Sequence, residues 1–137
     1  MVENIEWQGE TLALILRARF DNEGVNFVTA EDSPLQVGVL MHPQGFKIKH
    51  HIHRASSKII NSIQEVLHVE YGRVGVNFYD DNGEQIGGAV INMGDTILLI
   101  AGGHGFDILE DSKIIEVKQG PYEGMEKDKK QLEIGGG

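Results

Sequence analysis

His51 and His53 stand two residues apart in a segment that alternates in polarity. At the two-residue period of a β-strand both rings lie on one face. Neutral imidazole is the commonest side-chain ligand of divalent metals, and a same-face pair can chelate one ion. The surrounding charge is unusual. From Ser33 to Gln64 the chain has no acidic residue, but it carries Lys47, Lys49, Arg54 and Lys58 together with His42, His50, His51 and His53. In a chain of net charge -9, such a basic window reads either as a seat for a small anionic ligand or as a chance cluster of surface charge. Farther on, Glu65 opens an apolar segment and His104 follows Gly102-Gly103. There is no cysteine, so thiolate ligands and disulfides are excluded.

The elements that must hold these residues read as short strands. Apolar alternation predicts strands over 11–20, 25–28, 35–41, 46–53, 65–71, 74–79, 85–92, 96–100, 104–109 and 113–118. Turn signals separate them: Asp21-Asn22-Glu23-Gly24, Pro43-Gln44-Gly45, Asp80-Asp81-Asn82-Gly83 and Glu110-Asp111-Ser112. The stretch 54–64 reads as irregular or as a short helix. Many short strands with regular turns predict an all-β sandwich or barrel. The expected organisation is one barrel domain over 1–120 and a polar tail over 121–137. Met125 to Lys130 reads as solvated and Gly135-Gly136-Gly137 as an added linker.

The joint spacing is more specific than the histidine pair. Gly45, five residues, His51-Ile52-His53, then Glu65, six residues and Gly72 is similar to the first motif of the cupin superfamily. Gly94-Asp95-Thr96-Ile97-Leu98-Leu99-Ile100-Ala101-Gly102-Gly103-His104 is similar to its second. The resemblance covers roughly residues 35–118. It implies a double-stranded β-helix, the jelly-roll cupin barrel. It also implies one divalent transition metal ion (Fe, Mn, Ni, Co, Cu or Zn) held by His51, His53, Glu65 and His104, with positions left for water or substrate. The chain departs from the motifs in three places. Eleven residues separate His53 from Glu65, where the motif has three or four. Ile100 replaces the usual proline, and the approach to His104 is one residue short. The first departure makes three histidines and water the fallback ligand set. The segments Glu65-Val66-Leu67, Phe78-Tyr79-Asp80-Asp81 and Val117-Lys118-Gln119-Gly120-Pro121-Tyr122 also resemble small cupins associated with bacterial surface-polysaccharide synthesis.

Regular alternation poses a packing problem. With His51 and His53 inward, Lys47 and Lys49 share their face, while Phe46, Ile48, His50 and Ile52 point outward. That apolar stripe needs a cover: the N-terminal strand around Leu12, Leu14 and Leu16, or a second subunit, unless a bulge breaks the alternation. A homodimer is therefore expected. Leu67, Val69 and Tyr71 should share a face with Glu65, and Phe106 and Ile108 a face with His104. Lys47, Lys49, Arg54, Tyr71 and Phe106 are the candidate substrate contacts. His42, His50 and His68 read as structural or surface residues.

Composition narrows the partners. Net negative charge argues against nucleic acid and anionic membranes. No apolar run reaches spanning length. The first ten residues carry three acidic side chains and no basic one, the wrong sign for a secretory signal, so a cytoplasmic location is expected. Three functions remain: a metal-dependent enzyme on a small polar or sugar-derived substrate, a non-catalytic small-ligand-binding module, or a metal-free sugar isomerase or epimerase with His51 or His104 as base.

Overall fold

A computed structural model describes residues 1–124; the expectations for Met125 to Lys130 and for Gly135-Gly136-Gly137 lie outside the described residues. The chain divides into two compact units. Among the described residues, one is formed by Met1–Phe20 with residues 64–124, the other by Asp21–Ile63.

The larger unit is a curled antiparallel sheet with no helix among the described residues. Its strands are β1 (Val2–Trp7), β2 (Glu10–Leu16), β5 (Glu65–Tyr79), β6 (Gln85–Asn92), β7 (Thr96–Leu99) and β8 (Gly103–Lys118). The smaller unit contributes β3 (Gly24–Phe27) and β4 (Gly38–Met41). In the large sheet the order is β1-β2-β7-β5-β6, and β8 pairs with the other edge of β5.

The long strand β5 organises this unit. Its first half pairs with β7, Glu65 opposite Leu99. Its second half pairs with β6, and its whole length pairs with β8, from Glu65 opposite Lys118 to Tyr79 opposite Gly103. Three register shifts interrupt the β5–β8 ladder between Val69 and Val74. Bulges bend a strand and increase its twist, so the ladder curls and its two halves enclose a common core. Leu67, Val69, Val74, Val76 and Phe78 from β5 pack there with Leu12, Ala13, Ile15, Ile91, Ile97 and Leu99. Ile5 and Trp7 of β1 pack against this cluster. Their strand, Val2–Trp7, is one that the strands expected from sequence do not include.

Two pairs of expected strands are single elements. The segments 65–71 and 74–79 join as β5, and 104–109 and 113–118 join as β8, because Gly72 and Ser112 are bulge residues rather than turns. At Gly72 φ is +101°, and a Cβ would meet the Ser112 side chain and the Asp111 carbonyl. The Ser112 hydroxyl accepts from the Arg73 N–H (3.0 Å) and donates to the Glu110 carbonyl (2.7 Å), which satisfies groups that the shifted register leaves without a ladder partner.

In the smaller unit β3 and β4 form a two-stranded hairpin, Gly24 opposite Met41 and Phe27 opposite Gly38. Gln36 braces its loop by donating to the carbonyls of Ala30 and Ser33. The expected strand over 46–53 is absent: those residues have no strand partner. Alternation alone does not make a strand, because unpaired backbone groups gain nothing over their bonds to water. Residues 54–63 are irregular and contain no helix.

Candidate functional site

Glu65 and His104 meet. They are 39 residues apart in sequence, yet Glu65 Oε2 lies 3.9 Å from His104 Nε2, with side-chain exposures of 13% and 29%. The strand pattern explains the meeting. Glu65 has the parity of Leu67 and Val69, so it points to the interior face. His104 is the cross-strand partner of Phe78, and such partners project from the same face. Phe78 is 1% exposed, in the core. A straight strand would separate Glu65 from Phe78 by roughly 43 Å at about 3.3 Å per residue. The curl of β5 removes that distance. The chain then passes from Leu99, opposite Glu65, through residues 100–102 to β8. The Phe106 ring packs at a tilt against His104, with centroids 5.4 Å apart.

Two donors of one ion, each at about 2.1 Å from it, can stand no more than about 4.2 Å apart. The Glu65–His104 pair lies inside that limit. A carboxylate beside an imidazole also suits proton transfer, since the carboxylate orients the ring and stabilises its protonated form.

His51 and His53 belong to the smaller unit. Their rings meet edge to face with centroids 5.1 Å apart, and both residues are exposed. His51 Nδ1 lies 2.9 Å from the Lys49 carbonyl oxygen. With the proton on Nδ1 the ring donates to that carbonyl and keeps the Nε2 lone pair for a ligand, the arrangement that orients metal-binding histidines. The donor chemistry of the two pairs fits a divalent transition metal. Among the described residues, no three His, Asp or Glu side chains are grouped closely enough to hold an ion. The structure thus presents the candidate ligands as two pairs, one in each unit.

The candidate substrate contacts are dispersed. Lys47, Lys49 and Arg54 are exposed in the smaller unit. Phe106 is against His104. Tyr71, expected on the face of Glu65, follows the first register shift of β5 and is 51% exposed; the bulge ends the parity on which that expectation relied. The other histidines have local roles. His68 Nδ1 lies 2.9 Å from Thr96 Oγ1 across the β5–β7 ladder. The His42 ring stacks on Phe46 at 4.0 Å.

A second polar cluster went unread in the sequence. Arg17 Nε donates to Glu3 at 2.6 Å and its Nη1 donates to Asp95 at 3.0 Å. Asp95 also accepts from the N–H groups of Ala18 and Asn92. Burial alone would raise the Asp95 carboxyl, but the Asn92 and Ala18 N–H groups and the Arg17 guanidinium together hold it below its ordinary value. Hydrogen bonding from Arg17 likewise lowers Glu3. These residues line an open cavity of about 390 Å³ with Arg19, Val90, Asn92 and Met93. The available signal was Asp95 directly after Gly94, where a turn carboxylate can cap free N–H groups.

Comparison with protein-family models, curated proteins and solved structures returns no match to this chain.

Proposed function

We propose that the chain is a cupin-type metal-binding protein that holds one divalent transition metal through His104, Glu65, His51 and His53 and acts on a small polar, anionic or sugar-derived substrate. The observation that carries this reading is the approach of Glu65 to His104 within 3.9 Å across 39 residues of sequence. Supporting it are the curled all-β sheet and the second imidazole pair, in which the Lys49 carbonyl can leave His51 Nε2 available. A bound ion would supply Lewis acidity toward a substrate oxygen. Glu65 offers an anionic oxygen and keeps the His104 ring oriented. Phe106 forms an apolar wall beside that ring. Lys47, Lys49 and Arg54 supply positive charge for a carboxylate or phosphate on the substrate. Such a ligand also suits the loose resemblance to polysaccharide-synthesis cupins.

The Glu65–His104 pair supports a second, metal-free reading. His104 as base, oriented by Glu65, could abstract a proton α to a sugar carbonyl and return it to the neighbouring carbon, as an isomerase does. Elemental analysis of untagged protein, purified without added metal or chelator and then re-analysed after Zn²⁺ or Fe²⁺ loading, separates the readings. Near one ion per chain, lost in His104→Ala and in His51→Ala, is expected. Trace metal before and after loading would remove the metal reading and leave the second.

A further inference from the structure

The segment Lys118-Gln119-Gly120-Pro121-Tyr122 has no part in the chemistry proposed above, yet the structure gives it a definite task. The last backbone pair of the β5–β8 ladder is Glu65 opposite Lys118. One step beyond it, the Gln64 N–H donates to the side-chain Oε1 of Gln119 at 2.8 Å. Gln119 thus extends the ladder with its side chain, offering an amide oxygen where a strand would offer a backbone carbonyl. Close by, the Lys118 ammonium sits 5.8 Å from the centroid of the Tyr122 ring.

Part of this clasp is unfavourable. Gln64 is only 4% exposed. Its Oε1 and the Nε2 of Gln119 are buried without a hydrogen-bond partner among the described residues. A buried amide group left unpaired is unfavourable; an apolar side chain of similar size at 119 would remove the orphaned Nε2 but leave the Gln64 N–H without its acceptor. Packing alone therefore gives no reason for glutamine at position 119. The hydrogen bond that it does make fixes the backbone immediately before Glu65, at the point where the chain leaves the irregular stretch 54–63 and enters β5.

We infer that Gln119 is a positioning residue for Glu65: its side-chain oxygen pins the Gln64 N–H and so sets the Glu65 carboxylate beside His104. The inference rests on the reading of Glu65 as a functional group, but its first test does not need a metal. In the full-length, metal-free protein, Gln119→Met removes the acceptor and keeps the bulk, whereas Gln119→Glu keeps an acceptor oxygen. Amide hydrogen exchange at Gln64 should become at least tenfold faster in Gln119→Met and stay near the unaltered rate in Gln119→Glu, with exchange at Val69 and Val76 unchanged. Zn²⁺ affinity, measured by competition with a chelator, should fall about 10–100-fold in Gln119→Met and recover in Gln119→Glu, as for loss of a group that orients a ligand. Unchanged exchange at Gln64 in Gln119→Met overturns the inference. So does faster exchange with unaltered Zn²⁺ affinity where Glu65→Ala weakens binding. If the unaltered protein takes up no Zn²⁺, the metal reading falls by itself, and exchange at Gln64 still decides whether Gln119 holds the backbone before Glu65.

Discussion

A carboxylate and an imidazole 3.9 Å apart on the inner face of a curled sheet make Glu65 the residue whose role most needs measurement. Its spacing from His53 favoured its loss from the ligand set; its position beside His104 favours its retention. On the proposed metal-binding function, Glu65→Ala should weaken Zn²⁺ binding by about 10–100-fold, and His104→Ala by more. Equal affinity in Glu65→Ala and the unaltered protein, measured by isothermal titration, would return the set to three histidines and water. The Arg17 cluster makes the complementary prediction, on stability rather than binding. Asp95 accepts three hydrogen bonds, from Asn92, Ala18 and Arg17, while only 4% exposed. Removing it leaves the half-buried Arg17 guanidinium and two N–H groups short of an acceptor. Asp95→Ala should cost on the order of 3 kcal/mol, seen as a melting temperature lower by about 10 °C for a chain of this size. A change of a degree or two would show that water replaces the carboxylate at little cost.

At the scale of elements, the sequence disclosed where strands run better than where they stop. Strands β2, β6 and β7 follow from alternation and bounding turns. The merging of two pairs into β5 and β8 does not, because a glycine at a bulge and a glycine at a turn look alike in sequence. Only the partner strand distinguishes them. Likewise, the alternation over 46–53 is as regular as that of β6, but no strand partner accompanies it. The site shares this split. Motif spacing singled out Glu65 and His104 but placed Glu65 in doubt through its gap from His53; their meeting, like the Gln119 clasp and the Arg17–Asp95 cluster, depends on long-range contacts between strands. Gly72 offers a sharp test of the bulge. Its φ of +101° disfavours any side chain, and a Cβ would collide with Ser112 and the Asp111 carbonyl. Gly72→Ala should destabilise by at least about 2 kcal/mol and, on the proposed metal-binding function, lower Zn²⁺ affinity too, because the curl of β5 is what brings Glu65 to His104. A Gly72→Ala protein with unaltered melting temperature would refute the account of the bend.

For the molecule as a whole, acid should act through Glu3 and Asp95. Both carboxyls are held below their ordinary values of 4.5 and 3.8. Groups lowered on folding contribute stability that is full above those values and is lost as pH falls toward the lowered ones. The melting temperature should thus decline below about pH 4.5, and Asp95→Asn should show a shallower decline; parallel curves would refute the assignment. The assembly is the remaining expectation. Phe46, Ile48 and Ile52 are 56%, 58% and 91% exposed. Ile108, Ile115 and Val117, on a strand that pairs along one edge only among the described residues, are 58%, 45% and 55% exposed. Burying a large apolar side chain is worth about 1.5–3 kcal/mol, so leaving all of these in water is costly. Two-fold pairing is the commonest closed assembly, and a long free strand edge is a ready place to build it. Light scattering at low micromolar concentration should give about twice the 15.1 kDa of one chain. Ile52→Glu or Ile115→Glu should shift that mass toward a single chain, by placing a charge where the pair would bury a side chain. A mass of one chain for the unaltered protein would refute the dimer.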